Sequence, residues 1–325
     1  MKTEFTVYAA GSLDGAGVSR FILKDSRLIP DGVIKCPGRV MYFVEDGGDL
    51  HISARGKMSP EGDGIYIKAE PDGRGGYSVS EEKKIDGVCA CHISVSGDDV
   101  YTVGYSSGTV THLGDKTVTH EPKLHMRPGR QDRPHTHEAV ISPCGNYLLV
   151  TDLGLDRIYV YDRALNGLSV CMTEPGQGVR HLVFSPDGKH VYAANELAST
   201  VSVFSWEPGR LTLLHTVEPG FIEPDNYAAA IRTNAAGTKL YVSQRGKDVI
   251  GVFEISSDGE ELKLIGNFGC GGRFPRDFYI SPDERFIAVA NERSGNLSLL
   301  EMKDGIPGRI LDNASLPAAL CVLIK

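Results

Sequence analysis

The chain is poor in several things that commonly announce a function. It holds one tryptophan, Trp206, in 325 residues, and seven scattered cysteines that form no CxxC pair. A zinc ribbon or a disulfide scaffold is therefore not indicated, and reduced core thiols are the expectation; Cys89 and Cys91, on one face of a strand, are the only pair spaced for a metal. No apolar run approaches the length of a membrane span. The start, MKTEFTVYAAGS, lacks the basic flank and apolar stretch of a leader. A cytoplasmic protein is expected. Positive charge is also in deficit, with a net charge of −8. That argues against nucleic acid or an anionic membrane as partner, because phosphate backbones require a basic face. An anionic ligand would need a local cluster.

What the chain does have is repetition. The stretch RPHTHEAVISPCGNYLLVTDLGLDRIYVY at Arg133 returns as RHLVFSPDGKHVYAANELASTVSVF at Arg180 and as RDFYISPDERFIAVANERSGNLSLL at Arg276. Anchoring on the residue before each tight turn (Ser94, Ser142, Ser185, Thr233, Ser281) gives a period of 43 to 48 residues, with a weaker copy around Asp46. Each copy has room for four short strands. Period-two alternation and turns rich in Gly, Pro, Asp and Asn predict antiparallel strands without long helices.

The termini complete the count. Thr6 to Leu23 reads as the second and third strands of a copy lacking its first, and ALCVLIK, from Ala319 to Lys325, can supply it. The expectation is an all-β, seven-bladed β-propeller of four-stranded antiparallel blades over residues 1–325, one domain, closed by pairing of its N- and C-terminal strands so that no sheet edge is left bare.

Antiparallel blades place the start of each first strand and the end of each second strand on one rim. His135, His137, Arg180, His181 and Arg276 belong to the first group; Glu196, Arg245 and Glu292 belong to the second. Two histidines at spacing two share a face if the strand has begun there, and their near-neutral pKa suits proton transfer, substrate binding or simple strand capping. No third and fourth ligand stands out beside them, so no metal and no cofactor are expected. Arg180 is expensive to bury without an acid or an anionic ligand; it can pair with Glu196 or hold a carboxylate or phosphate while Glu196 acts as base. Arg245 matches Glu196 in its own copy, and Arg276 matches Arg180. The basic linker from Thr119 to His137 places Arg127, Arg130 and Arg133 where they can extend an anion cradle.

At these phrases the chain closely resembles the seven-bladed propeller lactonase family, which includes bacterial propeller-type 6-phosphogluconolactonases and fungal carboxy-cis,cis-muconate cyclases. The likeness is carried by PHTH, VRHLVFSPDG, NEL and QRG and runs over essentially the whole chain. It implies a site of one histidine, two arginines and one glutamate: His137 or its neighbour His135, then Arg180, Glu196 and Arg245. It further implies metal-independent opening of a sugar lactone, with His181, Arg276, Arg130, His135 and Glu292 around the substrate. The departures are Asp277 where many relatives carry His, Ala230 where many carry Glu, Lys247 where His is frequent, and VGYSSG in the third copy. They bear on the substrate more than on the fold. A lactone-forming cyclase and a non-catalytic binding propeller are the alternatives; the partner expected is a small anionic lactone, and the protein itself a monomer or weak homo-oligomer.

Overall fold

Strand Ala319–Ile324 lies against Phe5–Gly11, with Val7 opposite Ile324 and Ala10 opposite Cys321. Two backbone hydrogen bonds of 2.8 Å between Thr6 and Lys325 lengthen the seam. Val18–Lys24 and Arg27–Ile34 complete this first blade. The computed structural model, which describes residues 4–56, 62–122, 128–220 and 224–325, arranges seven such four-stranded antiparallel sheets as a β-propeller. Arg127 lies outside the described residues.

Each blade is driven together by the same physics. Alternate residues of the inner strands face the neighbouring blades, so both faces of a sheet are covered and the strands read as nearly continuous Val, Ile, Leu and Ala. Between blades 4 and 5, for example, Leu149, Ile158 and Val160 pack against Leu182, Val191 and Phe204. Most of the exposed large apolar side chains stand on outermost strands, as at Leu168, Val170 and Met172.

The turn serines work through their side chains. Ser142 Oγ accepts the Tyr147 N–H, Ser185 Oγ the His190 N–H and Ser281 Oγ the Phe286 N–H. Two of the anchors assigned from the sequence shift as a result. In blade 6 the turn residue is Asn234, one place after Thr233, because its Oδ1 accepts the N–H groups of Thr238 and Lys239. In blade 3, Ser94 pairs with Tyr101 inside the ladder and the turn begins at Ser96. Cys89 and Cys91 do not share a strand face either: Cys89 has φ +62° ahead of the strand Ala90–Ser96.

The feature that positions the chemistry is a β-bulge repeated in every innermost strand. The ladder skips one residue between Val40 and Tyr42, Ala90 and His92, Thr136 and Glu138, Val179 and His181, and Pro275 and Asp277; it is also irregular between Ala228 and Ile231. The skipped residues include Cys91, His137, Arg180 and Arg276. A bulge leaves its extra residue unpaired and re-aims the side chain, so two consecutive residues of each strand turn toward the channel at different depths. The residue after the bulge forms a deeper ring to which Tyr42, His92, Glu138, His181 and Asp277 belong. Ala230 joins it, since its N–H meets Ser243 Oγ as the Glu138 N–H meets Thr151 Oγ1.

Candidate active site

Gly178 sets the chain up for the central pair. It has φ +63°, and a Cβ there would lie 2.4 Å from Leu197 Cγ. Only glycine permits this close turn. Its N–H donates to Asp156 Oδ1 at 2.7 Å and its carbonyl accepts from the Glu196 N–H at 2.8 Å. One residue thereby fixes both the strand that carries Arg180 and the strand end that carries Glu196.

Glu196 is the hub. Its Oε2 lies 3.0 Å from Arg180 Nε and 2.8 Å from an Arg245 Nη, and its Oε1 accepts from Arg130 at 2.6 Å. Burial pushes the Glu196 carboxyl up, but Arg245, Arg130 and Arg180 outweigh it and hold the group well below the usual carboxylate range. Such a carboxylate is a poor proton acceptor. Arg180 is pulled down in spite of its ion pair, by burial first and then by the fields of Arg245 and Arg276, because one carboxylate is shared among three guanidinium groups. It also donates to the Ala229 carbonyl at 2.9 Å.

A cavity of about 270 Å³ opens in front of this cluster, lined by Arg55, Cys91, Tyr105, Arg130, His137, Glu196, Arg245, Phe274, Arg276 and Glu292. Four arginines face two glutamates, and Arg276 meets Glu292 at 3.2 Å. His137 is buried and its Nδ1 has no hydrogen-bond partner among the described residues. Burial, and then Arg180, keep its imidazole well below the ordinary histidine pKa, hence neutral at pH 7. A larger cavity of about 650 Å³ lies between outer strands of blades 3 and 4, around His120 and Tyr159. It holds no comparable convergence of charge, since His120 is tied to Asp152 at 2.7 Å and to Tyr161 at 2.9 Å.

The structure thus brings His137, Glu196, Arg245, Arg130, Arg276 and Glu292 around one cavity, with Arg180 directly behind Glu196. It does not bring His135 there. The strand begins only at Thr136, so His135 and His137 diverge; the His135 ring stacks on Tyr105 at 4.4 Å, and its nitrogens meet the Tyr105 carbonyl at 2.9 Å and Asp132 at 3.2 Å. His181 lies one layer deeper, its ring 5.2 Å from that of His137. Arg133 pairs with Asp132 at 3.2 Å and is more than half exposed.

Arg55, Tyr105 and Phe274 escaped the sequence reading. A signal existed for the first two: each ends or follows the second strand of its blade, as Arg245 and Glu196 do. The deeper ring was also missed. Within it, burial raises the Glu138 carboxyl to about 8 and lowers His92 to about 3.

Comparison with known proteins follows the same lines. Residues 6–324 match the family model described as Lactonase, 7-bladed beta-propeller. A Bacillus subtilis 6-phosphogluconolactonase is 32% identical over 291 residues, 79% of this chain and 83% of that protein. Among solved structures, a Lactobacillus plantarum protein superposes with a TM-score of 0.89 at 28% identity, covering 99% of this chain and 100% of its own. A Pseudomonas aeruginosa protein named periplasmic gluconolactonase superposes with a TM-score of 0.88 at 25% identity, covering 99% of each chain. Among the described residues no helix is long and apolar enough to cross a membrane.

Proposed function

This chain belongs to the seven-bladed β-propeller lactonase family, and on that premise we propose that it hydrolyses a sugar lactone bearing an anionic group, 6-phosphoglucono-1,5-lactone being the first candidate. The observation that carries the reading is the sharing of one carboxylate, Glu196, by Arg130, Arg180 and Arg245 beside a cavity lined by His137, whose Nδ1 has no hydrogen-bond partner among the described residues. An arginine cluster left short of negative charge is relieved by an anion, and bidentate guanidinium geometry suits phosphate and carboxylate alike.

In the proposed reaction a water attacks the lactone carbonyl while His137 takes its proton, the bound anionic group of the substrate offsetting the arginine field that depresses this imidazole. Arg245 stabilises the oxyanion that forms, a contribution of about 3–4 kcal/mol for a well-placed donor in a water-poor site, while Arg276 holds the substrate's anionic group. Collapse of the tetrahedral intermediate breaks the ring C–O bond, and the His137 imidazolium returns the proton to the departing ring oxygen. The new carboxylic acid then ionises. Glu196 is not the base in this scheme: it aligns Arg130, Arg180 and Arg245. The same arginines explain why an anionic substrate would be retained in a protein that is acidic overall.

The decisive assay follows hydrolysis of freshly made 6-phosphogluconolactone, corrected for its spontaneous rate, beside unphosphorylated gluconolactone and a muconate. Acceleration of the phosphorylated lactone above the other two is expected. A rate no higher than the spontaneous one with either lactone would end this reading, and turnover of the muconate alone would replace it with ring closure.

A further inference from the structure

Beneath the mouth cavity, His92, Glu138 and His181 come from the innermost strands of three consecutive blades, 3, 4 and 5. All three are more than nine-tenths buried, and one ligand-capable atom from each lies within 4.8 Å of the others. Glu138 Oε1 is 3.4 Å from His92 Nε2 and 3.7 Å from His181 Nδ1. Both separations exceed the 2.7–3.2 Å range of an N–H···O hydrogen bond. The other carboxylate oxygen, Oε2, accepts the Leu182 N–H, so the side chain is held with Oε1 presented to the two rings.

A buried carboxylate flanked by two imidazoles that it does not hydrogen-bond is a costly arrangement unless something else occupies the space between them. The two Glu138 separations, 3.4 and 3.7 Å, come close to those of ligands that share a cation. Bonds of about 2.0–2.1 Å in tetrahedral geometry place ligand atoms about 3.3–3.4 Å apart. The other ionic groups nearby are already engaged: Arg232 with Asp277 at 3.1 Å, Arg180 with Glu196 at 3.0 Å. Among the described residues Glu138 is therefore the acid of this layer that no arginine pairs. His92 is held in place by stacking on Tyr42, ring centroids 4.2 Å apart, while its Nδ1 has no hydrogen-bond partner among the described residues.

We propose that His92, Glu138 and His181 bind a divalent transition-metal ion of the Zn²⁺ type, three protein ligands with a fourth position open to the channel, at a site separate from the lactone cavity. Two imidazoles and one carboxylate select Zn²⁺ or Co²⁺ over Mg²⁺ or Ca²⁺, which favour all-oxygen shells. An ion here would tie three blades together at the axis.

The test uses the untagged full-length chain, stripped with a chelator and titrated with Co²⁺, read by visible absorption, and with Zn²⁺, read by calorimetry and thermal melting. One equivalent of Co²⁺ with the intense absorption of a low-coordinate site is expected, displaced by Zn²⁺, with the melting temperature raised by either ion. Glu138→Gln and His92→Phe, the latter keeping the ring that stacks on Tyr42, should weaken binding by about 100-fold or more, beyond the 10–100-fold loss of an outer-shell partner. His137→Gln should bind Co²⁺ like the parent, which separates this site from the mouth. Absence of saturable Co²⁺ and Zn²⁺ binding in the unsubstituted protein overturns the proposal, as does unchanged affinity in either ligand variant. Should Glu138→Gln fail to fold, the parent protein and His92→Phe decide the matter.

Discussion

His137 and Glu138 are neighbours in sequence, yet both side chains enter the central channel, His137 at the mouth cavity and Glu138 in the ring beneath it. An ordinary strand would send them to opposite faces. The bulge between Thr136 and Glu138 removes that constraint, and the same device recurs at Arg180 with His181 and at Arg276 with Asp277. The propeller thus stacks two polar layers on its axis, and substitutions in one layer should be separable from those in the other.

Replacement of the proton carrier is the most direct probe of the upper layer. His137→Gln preserves side-chain size and polarity but cannot carry the proton, so kcat on the preferred lactone should fall by about 10²–10⁴-fold. KM should move little, since the arginines remain. Steady-state kinetics beside a circular dichroism spectrum checks both halves; an unchanged kcat would remove His137 from the mechanism.

Arg276 distinguishes binding of the anionic group from chemistry. It is partly exposed and among the described residues pairs only with Glu292, itself partly exposed, so Arg276→Ala leaves no fully buried charge behind. KM for a phosphorylated lactone should rise at least tenfold, about 1.4 kcal/mol. The unphosphorylated sugar lactone should be almost unaffected. An equal effect on both substrates would mean that Arg276 serves the reacting carbonyl instead.

The architecture was legible in the sequence because its cause is local and repeated: a turn residue whose side chain accepts the first N–H of the next strand, followed by apolar alternation. Thr233 was mistaken for that residue because only the side-chain oxygen of Asn234 reveals the register. Rim convergence of Arg180, Glu196 and Arg245 followed from antiparallel pairing alone. The bulges did not, since an unpaired residue leaves the alternation on either side intact. Their trace is two adjacent polar residues inside an apolar strand, His-Glu, Arg-His and Arg-Asp. The family likeness left His135 and His137 interchangeable; one residue of non-strand backbone at His135 separates them.

Glu196 should prove as important to folding as to turnover. In Glu196→Gln three guanidinium groups lose their shared anion, and breaking a buried ion pair in this way typically costs about 3–5 kcal/mol. The folded-state pKa of Glu196 is depressed, so its pairing contributes fully above the usual carboxyl pKa of about 4.3 and is lost as pH falls through the lower folded value. Urea unfolding should therefore show a constant gap between parent and variant from pH 8 to about pH 5, closing only in stronger acid. A gap that shrinks between pH 8 and pH 6 would mean that another group supplies the stabilisation.

Arg180 and Arg130 touch the same carboxylate from opposite environments, which makes them a matched pair. Arg180 is buried behind Glu196, whereas the side chain of Arg130 is 52% exposed and also reaches the Tyr105 hydroxyl at 2.9 Å. Removing Arg180 strips the hub of a buried partner and opens a void, so Arg180→Ala should lose several kcal/mol of stability, by the same reasoning that applies to a broken buried pair. Its lactone turnover should fall sharply even under conditions where it is folded. Arg130→Ala replaces an ion pair that water can substitute, and its stability should stay within about 1 kcal/mol of the parent. Its effect belongs to the substrate: with one wall of the cradle gone, KM should rise while kcat is largely kept. Equal destabilisation by the two substitutions, measured in parallel denaturant titrations, would show that exposure does not govern what each arginine contributes to the hub.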